Sequence, residues 1–105
     1  APPHWIDVSP VEDALTVNVG DMLQVLSNGK YRAPEHRVLA SPPGVSRVSA
    51  PFFYNPAYDA EMRPLQTDTP RYSPFSWGYF RRRRFEGDFA DEGKAEVQIA
   101  DFLIP

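Results

Sequence analysis

Residues 36–54 read HRVLASPPGVSRVSAPFFY, and this stretch decides the fold class of the chain. Two apolar runs, 36–40 and 47–54, flank a loop of prolines and glycine at 41–45. Aromatic and β-branched residues favour strands, and proline and glycine mark the turns between them. Similar short runs lie upstream at 5–8 and 14–19. Short strands separated by turn signals indicate a sandwich or barrel, so we predict a mainly β fold.

The remainder of the chain predicts one helix between less regular segments. Ser73-Pro74 is typical of a helix start, and Phe75, Tyr79 and Phe80 follow at helical spacing. We therefore predict strands over 1–56, a surface loop over 57–74, a helix over 75–86 and a tail over 87–105. The apolar run 22–26 fits either a strand or a helical turn, and Asn28-Gly29 predicts a tight turn with positive φ.

Length and composition limit the class of protein. The chain has 105 residues, enough for one small domain. It contains no cysteine, which excludes disulfides, zinc thiolate sites and cysteine nucleophiles. The net charge of −3 gives no sign of a nucleic-acid or membrane partner, and no signal peptide or spanning segment is visible, so we expect a cytoplasmic location. Because the chain begins Ala1-Pro2-Pro3 without methionine, we expect it to be cut from a longer parent protein.

Few residues could carry chemistry on pattern alone. The two histidines, His4 and His36, are too few for a metal site, and a lone histidine is usually structural. Arg47 and Ser49 alternate on a predicted strand, so both side chains face one side. They could bind a carboxylate together, or Arg47 could pair with a structural acid. The run 81–84 of four arginines is typical of a solvated helix end, because acids follow it closely, the last of them Asp91 and Glu92.

An ordered set of motifs identifies a resemblance to a known family. The motifs are VNVGDMLQ at 17–24, SNGKY at 27–31, EHRV at 35–38, RVS at 47–49 and FFYNP at 52–56. Together they resemble the iron(II)- and 2-oxoglutarate-dependent oxygenases related to isopenicillin N synthase. The resemblance runs from about Trp5 to Pro56. It continues more loosely through WGY at 77–79 and residues 85–88, which match a common C-terminal helix.

The resemblance implies a fold, cofactors and roles for individual residues. The expected fold is part of a double-stranded β-helix, or jelly roll, followed by a C-terminal α-helix. His36 would be a ligand of Fe(II), while Arg47 and Ser49 would bind the cosubstrate 2-oxoglutarate. Phe53 and Tyr54 would lie on the substrate side, although core packing is an alternative for such aromatic residues. Ascorbate is an optional further cofactor.

The implied reaction is oxidation, normally hydroxylation, of a small organic substrate with O₂, giving succinate and CO₂. In this reading the chain is the C-terminal portion of one oxygenase domain. Its main partner would be the missing N-terminal half of that domain.

The chain departs from the family pattern in one respect that concerns metal binding. The family's other two iron ligands form a His-x-Asp motif on an earlier strand, and this chain has none. His4 and Asp7 are spaced His-x-x-Asp, so on a strand they would point to opposite faces. The alternative function is therefore a truncated, non-catalytic jelly-roll fragment that acts as a binding module or is a remnant.

Overall fold

The computed structural model describes residues 4–88 and 93–105. The elements in chain order are α1 (Asp21–Leu26), β1 (Glu61–Met62), β2 (Phe75–Ser76), α2 (Trp77–Asp88) and a 3-10 helix (Ile99–Phe102). The two strands form an antiparallel pair, with Met62 opposite Phe75. Within these two ranges, every helix is too short or too polar to cross a lipid bilayer.

Helix α1 ends in the turn that the sequence predicts. Asn28 has φ 55° and Gly29 has φ 79°, which confirms the positive-φ turn at Asn-Gly. The amide of Gly29 donates to the carbonyl of Gln24 at 2.8 Å, and the amide of Asn28 donates to that of Val25 at 2.9 Å. This pair of bonds is a Schellman motif, which satisfies carbonyls that the end of a helix leaves unpaired. The ambiguous run 22–26 is therefore helical.

Helix α2 begins two residues later than predicted, because Phe75 and Ser76 pair with β1 instead of joining the helix. Ser76 is the N-cap, and its hydroxyl accepts a hydrogen bond from the amide of Tyr79 at 3.3 Å. The two preceding helical amides, of Trp77 and Gly78, donate to carbonyls in the loop before β1. The predicted cap, Ser73, instead donates to the carbonyl of Phe102 at 3.1 Å.

An aromatic core lies between the helices and the small sheet. Its buried residues are Val25, Met62, Tyr72, Phe75, Phe80 and Val97. Phe75 stacks on Phe102 with ring centroids 4.1 Å apart, so the 3-10 helix closes the core. Phe75 and Phe80 are buried, whereas Tyr79 is 45% exposed, so the three residues do not form the single helical face that their spacing predicts. This core draws on α1, both strands, α2 and the C-terminal segment.

The segments predicted as loop and tail contribute more than expected. Residues 57–74 contain β1, and their Met62 and Tyr72 belong to the core, so this stretch is more than a surface loop. In the tail, Val97 is buried and Tyr72 forms an isolated antiparallel bridge with Leu103. Part of the predicted tail, including Asp91 and Glu92, lies outside the described residues.

The strands predicted within 1–56 do not form in this structure. Residues 4–56 contain no strand, and most of their large apolar side chains are exposed, among them Leu15, Val17, Val48 and Phe52. A strand needs a neighbour to accept its ladder hydrogen bonds, and none of the described residues pairs with these segments in this way. The radius of gyration is 16.7 Å, against about 13 Å for a compact chain of 100 residues. The described residues thus contain one small antiparallel sheet with helices, and the jelly-roll strands over 1–56 stay a prediction.

Arg84 connects three parts of the structure through its guanidinium group. Its Nε lies 2.6 Å from Glu96 Oε1, and an Nη atom lies 3.7 Å from Asp21 Oδ2 at the start of α1. It also donates to the carbonyl of Val97 at 3.0 Å and to Gln98 Oε1 at 2.9 Å. Arg84 is thus a cross-link that holds residues 96–98 against α2, rather than a solvated side chain at a helix end.

Gly87 allows the same segment to approach α2 closely, and its replacement tests that contact. A Cβ atom added there would lie 2.5 Å from Glu96 Cα and 2.7 Å from Glu96 N, both backbone atoms that no rotamer change can move. We expect Gly87→Ala to destabilise the parent protein by about 2 kcal/mol, since overpacking typically costs about 1–3 kcal/mol. The midpoint of urea unfolding measures this loss.

Gly20→Ala is the matched control for Gly87→Ala. No atom lies within 4 Å of the Cβ that would be added at Gly20, and its φ of −101° is accessible to alanine. Its expected effect is only the N-cap preference for glycine over alanine, about 1 kcal/mol at most. Equal losses for the two variants would contradict the close approach at Gly87.

Candidate functional site

His36 is exposed, and its ring makes one hydrogen bond, from Nδ1 to the carbonyl of Pro34 at 3.1 Å. A carbonyl oxygen only accepts, so Nδ1 carries the proton and Nε2 keeps its lone pair in the neutral ring. Ligand histidines commonly hold their second nitrogen in this way. Across residues 4–88 and 93–105, however, no three His, Asp or Glu side chains come together as a metal site. The described residues therefore leave His36 without companion ligands and do not form a complete metal site.

Arg47 and Ser49 are both exposed in the segment after the 41–45 loop. Within the described part of the chain no carboxylate pairs with Arg47, although six other ion pairs are present. The alternative role of Arg47, a structural ion pair, would therefore need a carboxylate from outside these residues. The guanidinium and the hydroxyl are both open to a ligand or to a further part of a protein.

The two aromatic residues predicted for the substrate side are not in the core. Phe53 is 74% exposed and Tyr54 is 93% exposed. Neither side chain belongs to the core of the described residues, in contrast to Phe75. No hydrogen bond or ring contact joins them to His36, Arg47 or Ser49 among the interactions of the described residues, and the structure does not assemble the five into one site.

Gln24 on α1 makes two contacts near the predicted site that the sequence did not reveal. Its Oε1 accepts a hydrogen bond from the amide of Ala33 at 2.7 Å, and its Nε2 donates to the hydroxyl of Tyr72 at 3.0 Å. Ala33, the partner in the first of these contacts, lies three residues before His36 in the sequence. Gln24 lies within the VNVGDMLQ motif, but periodicity gives no signal for its contact with Tyr72, a residue 48 positions away.

The arginine run does not form a free basic patch. Arg82 and Arg83 both pair with Glu86, at 3.9 and 3.3 Å, and Arg84 is the cross-link described above. A hydrogen bond from Lys94, together with the nearby arginines, holds the pKa of Glu86 below its ordinary value despite some desolvation. Most of this positive charge is therefore compensated locally.

An open groove is lined in part by Tyr72 of the aromatic core. It has a volume of about 520 Å³ and is lined by residues of 63–70 with Tyr72, Pro74 and Ile104. None of the predicted site residues lines it. The groove and the predicted site are therefore separate features of the chain.

Comparison with protein families finds one match that includes the predicted site. The model of the 2OG-Fe(II) oxygenase superfamily matches residues 2–56, a range that contains His36, Arg47 and Ser49.

Several curated plant proteins are similar to the chain. Jasmonate-induced oxygenase 1 of Arabidopsis thaliana is 43% identical over 82 residues, covering 73% of this chain and 20% of that protein. A 1-aminocyclopropane-1-carboxylate oxidase of Prunus mume is 49% identical over 64 residues, covering 61% of this chain and 20% of the relative. Gibberellin 2-beta-dioxygenase 8 of Arabidopsis thaliana is 43% identical over 80 residues, covering 76% of this chain and 23% of that protein. The chain thus spans about a fifth of the length of these relatives, and no solved structure matches it significantly.

Proposed function

The chain belongs to the 2OG-Fe(II) oxygenase superfamily, and on that premise we propose that it is the C-terminal portion of an oxygenase that hydroxylates a small organic substrate. The observation that carries the proposal is the family match over 2–56, which includes a histidine, an arginine and a serine in the expected order. The family uses Fe(II) and 2-oxoglutarate, and the parent protein would require both, with ascorbate as an optional further cofactor.

His36 would supply one ligand to Fe(II) through Nε2. Its Nδ1 contact with Pro34 at 3.1 Å supports this role, because it leaves the lone pair on the exposed nitrogen. One imidazole does not hold iron in an oxygenase site, where two histidines and a carboxylate are typical. The other two ligands would come from the part of the parent protein that precedes this segment.

Arg47 and Ser49 would bind the carboxylate of 2-oxoglutarate that is remote from the metal. A guanidinium forms two parallel hydrogen bonds with a carboxylate, and a hydroxyl adds a third donor. Both side chains are exposed, and Arg47 has no carboxylate partner in the described part of the chain. When bound, the iron and its cosubstrate supply oxidising power: one oxygen atom of O₂ enters succinate as CO₂ leaves, and the other enters the substrate.

The remaining residues would complete a jelly roll in the parent protein. The exposed apolar side chains of 4–56 would pair and pack against the preceding half of the domain, with Phe53 and Tyr54 toward the substrate. This arrangement explains why segments with strand composition find no ladder partner in the chain alone. The cytoplasmic location stays a prediction.

The test is anaerobic binding of 2-oxoglutarate to the parent protein, followed by succinate formation when O₂ is admitted. We expect binding that requires Fe(II) and is abolished by excess EDTA, then release of succinate and CO₂. A parent protein that binds neither Fe(II) nor 2-oxoglutarate would support the alternative, a non-catalytic jelly-roll fragment that acts as a binding module or remnant.

A further inference from the structure

The carboxamide of Gln24 lies between two segments that are distant in sequence. On one side it accepts from the amide of Ala33 at 2.7 Å, and on the other it donates to the hydroxyl of Tyr72 at 3.0 Å. Tyr72 is a buried member of the aromatic core. The side chain thus connects the core to the stretch that leads to His36.

The Ala33 amide determines which end of the carboxamide faces it. An amide N–H only donates, so the carbonyl oxygen of Gln24 faces Ala33 and the amide nitrogen is left to donate to the Tyr72 hydroxyl. Tyr72 is itself held by its bridge to Leu103. The Gln24 side chain is therefore anchored on a residue that the core immobilises.

Two further features restrict the position of His36 relative to Ala33. Residue 34 is a proline, whose ring fixes φ at about −65° and so limits the direction of the chain. The carbonyl of Pro34 then binds Nδ1 of His36 at 3.1 Å. Between α1 and His36, the Gln24 bond to Ala33 is the last side-chain anchor, after the bond from the Tyr31 amide to the Ser27 hydroxyl at 3.1 Å.

We propose that Gln24 is a positioning residue for His36, and that Tyr72 acts by holding Gln24. This inference rests on the proposed function, since it assumes that His36 binds Fe(II). In this proposal the segment that carries Tyr72, which lies after the predicted jelly-roll strands, supports the metal site through Gln24. Loss of such supporting contacts typically weakens metal affinity by about 10- to 100-fold.

The test compares Gln24→Met with Gln24→Glu in the parent protein. Methionine has similar length and no hydrogen-bonding capacity at this position, so Fe(II) affinity measured anaerobically should fall about 10-fold or more. In the metal-free variant, the Ala33 amide should exchange its hydrogen faster than in wild type. Hydrogen exchange of the peptide covering 31–38 measures this change. A glutamate can accept from both the Ala33 amide and the Tyr72 hydroxyl, so Gln24→Glu should restore most of the affinity and the protection. Tyr72→Phe should give a smaller loss, about threefold to tenfold.

Asn28→Gly is the matched control. Asn28 also joins the end of α1 to the C-terminal segment, by donating to Thr69 O at 3.1 Å and accepting from Arg71 N at 2.7 Å. It has no contact with Ala33, and glycine accepts its φ of 55° without strain. We expect Asn28→Gly to lower the unfolding midpoint while leaving Fe(II) affinity within twofold of wild type.

The outcomes separate the two levels of the proposal. If wild type binds Fe(II) and Gln24→Met binds it equally well, the positioning role is overturned while the proposed function stands. If Asn28→Gly loses as much affinity as Gln24→Met, general loosening explains the loss and the role is again overturned. If wild type binds no Fe(II), the proposed function fails, and the positioning role fails with it.

Discussion

Replacing His36 with alanine in the parent protein is expected to weaken Fe(II) binding at least about 100-fold, beyond the range typical of supporting residues. In the proposed role of His36, the substitution would remove one of the protein ligands that hold the iron. Succinate formation should fall below detection at an iron concentration that saturates wild type. Anaerobic titration with Fe(II) measures the binding, and succinate analysis measures the turnover.

The control for this prediction is His4→Ala, the other histidine of the chain. Both side chains are exposed, so neither substitution should change the stability of the metal-free protein by more than about 0.5 kcal/mol. His4→Ala should bind Fe(II) as wild type does. Equal losses in the two variants, or none in His36→Ala, would contradict the assignment of His36.

Features that depend on neighbouring residues could be predicted from the sequence. The Asn28-Gly29 turn follows from the ability of these two residues to adopt positive φ. The existence of α2 was predicted at nearly the right place, although the first two predicted helical residues, Phe75 and Ser76, pair with β1 instead. The cap at Ser76 was missed because Ser73-Pro74 gives the same local signal, and only the contacts with Phe102 and the sheet distinguish them.

Features that depend on distant residues could not be predicted in this way. Strand composition over 4–56 indicates residues suited to a sheet, but a strand forms only where another strand completes the ladder. The contacts of Gln24 with Tyr72 and of Arg84 with Glu96 join parts of the chain that no periodic pattern relates. Arg84 was therefore taken for a solvated side chain when it is a cross-link.

The candidate site shows the same division between pattern and context. On pattern alone, His36 is a lone histidine and Arg47 a surface cation with a structural partner. The family match favours a different interpretation of both residues, because the family uses Fe(II) and 2-oxoglutarate and the match includes His36 and Arg47. The structure shows in addition how Gln24 of α1 and Tyr72 of the core contact the stretch before His36.

Replacing Arg47 with methionine in the parent protein is expected to raise the dissociation constant for 2-oxoglutarate about 10²- to 10³-fold. Removing one partner of a charge pair that is buried with its ligand costs about 3–5 kcal/mol, largely because the carboxylate loses its counter-charge. Methionine keeps the length of the side chain and removes the charge. Isothermal titration of the Fe(II)-loaded, anaerobic protein with 2-oxoglutarate measures the change.

Two comparisons make the Arg47 prediction specific. Fe(II) affinity in the absence of 2-oxoglutarate should stay at the wild-type value for Arg47→Met, which separates its role from that of His36. Arg81→Met, at an exposed position on α2, removes the same charge and should leave the dissociation constant unchanged. Arg47→Lys should recover part of the affinity, because lysine keeps the charge and loses the two-pronged geometry. Tight binding of 2-oxoglutarate by Arg47→Met would show that another cation holds the carboxylate.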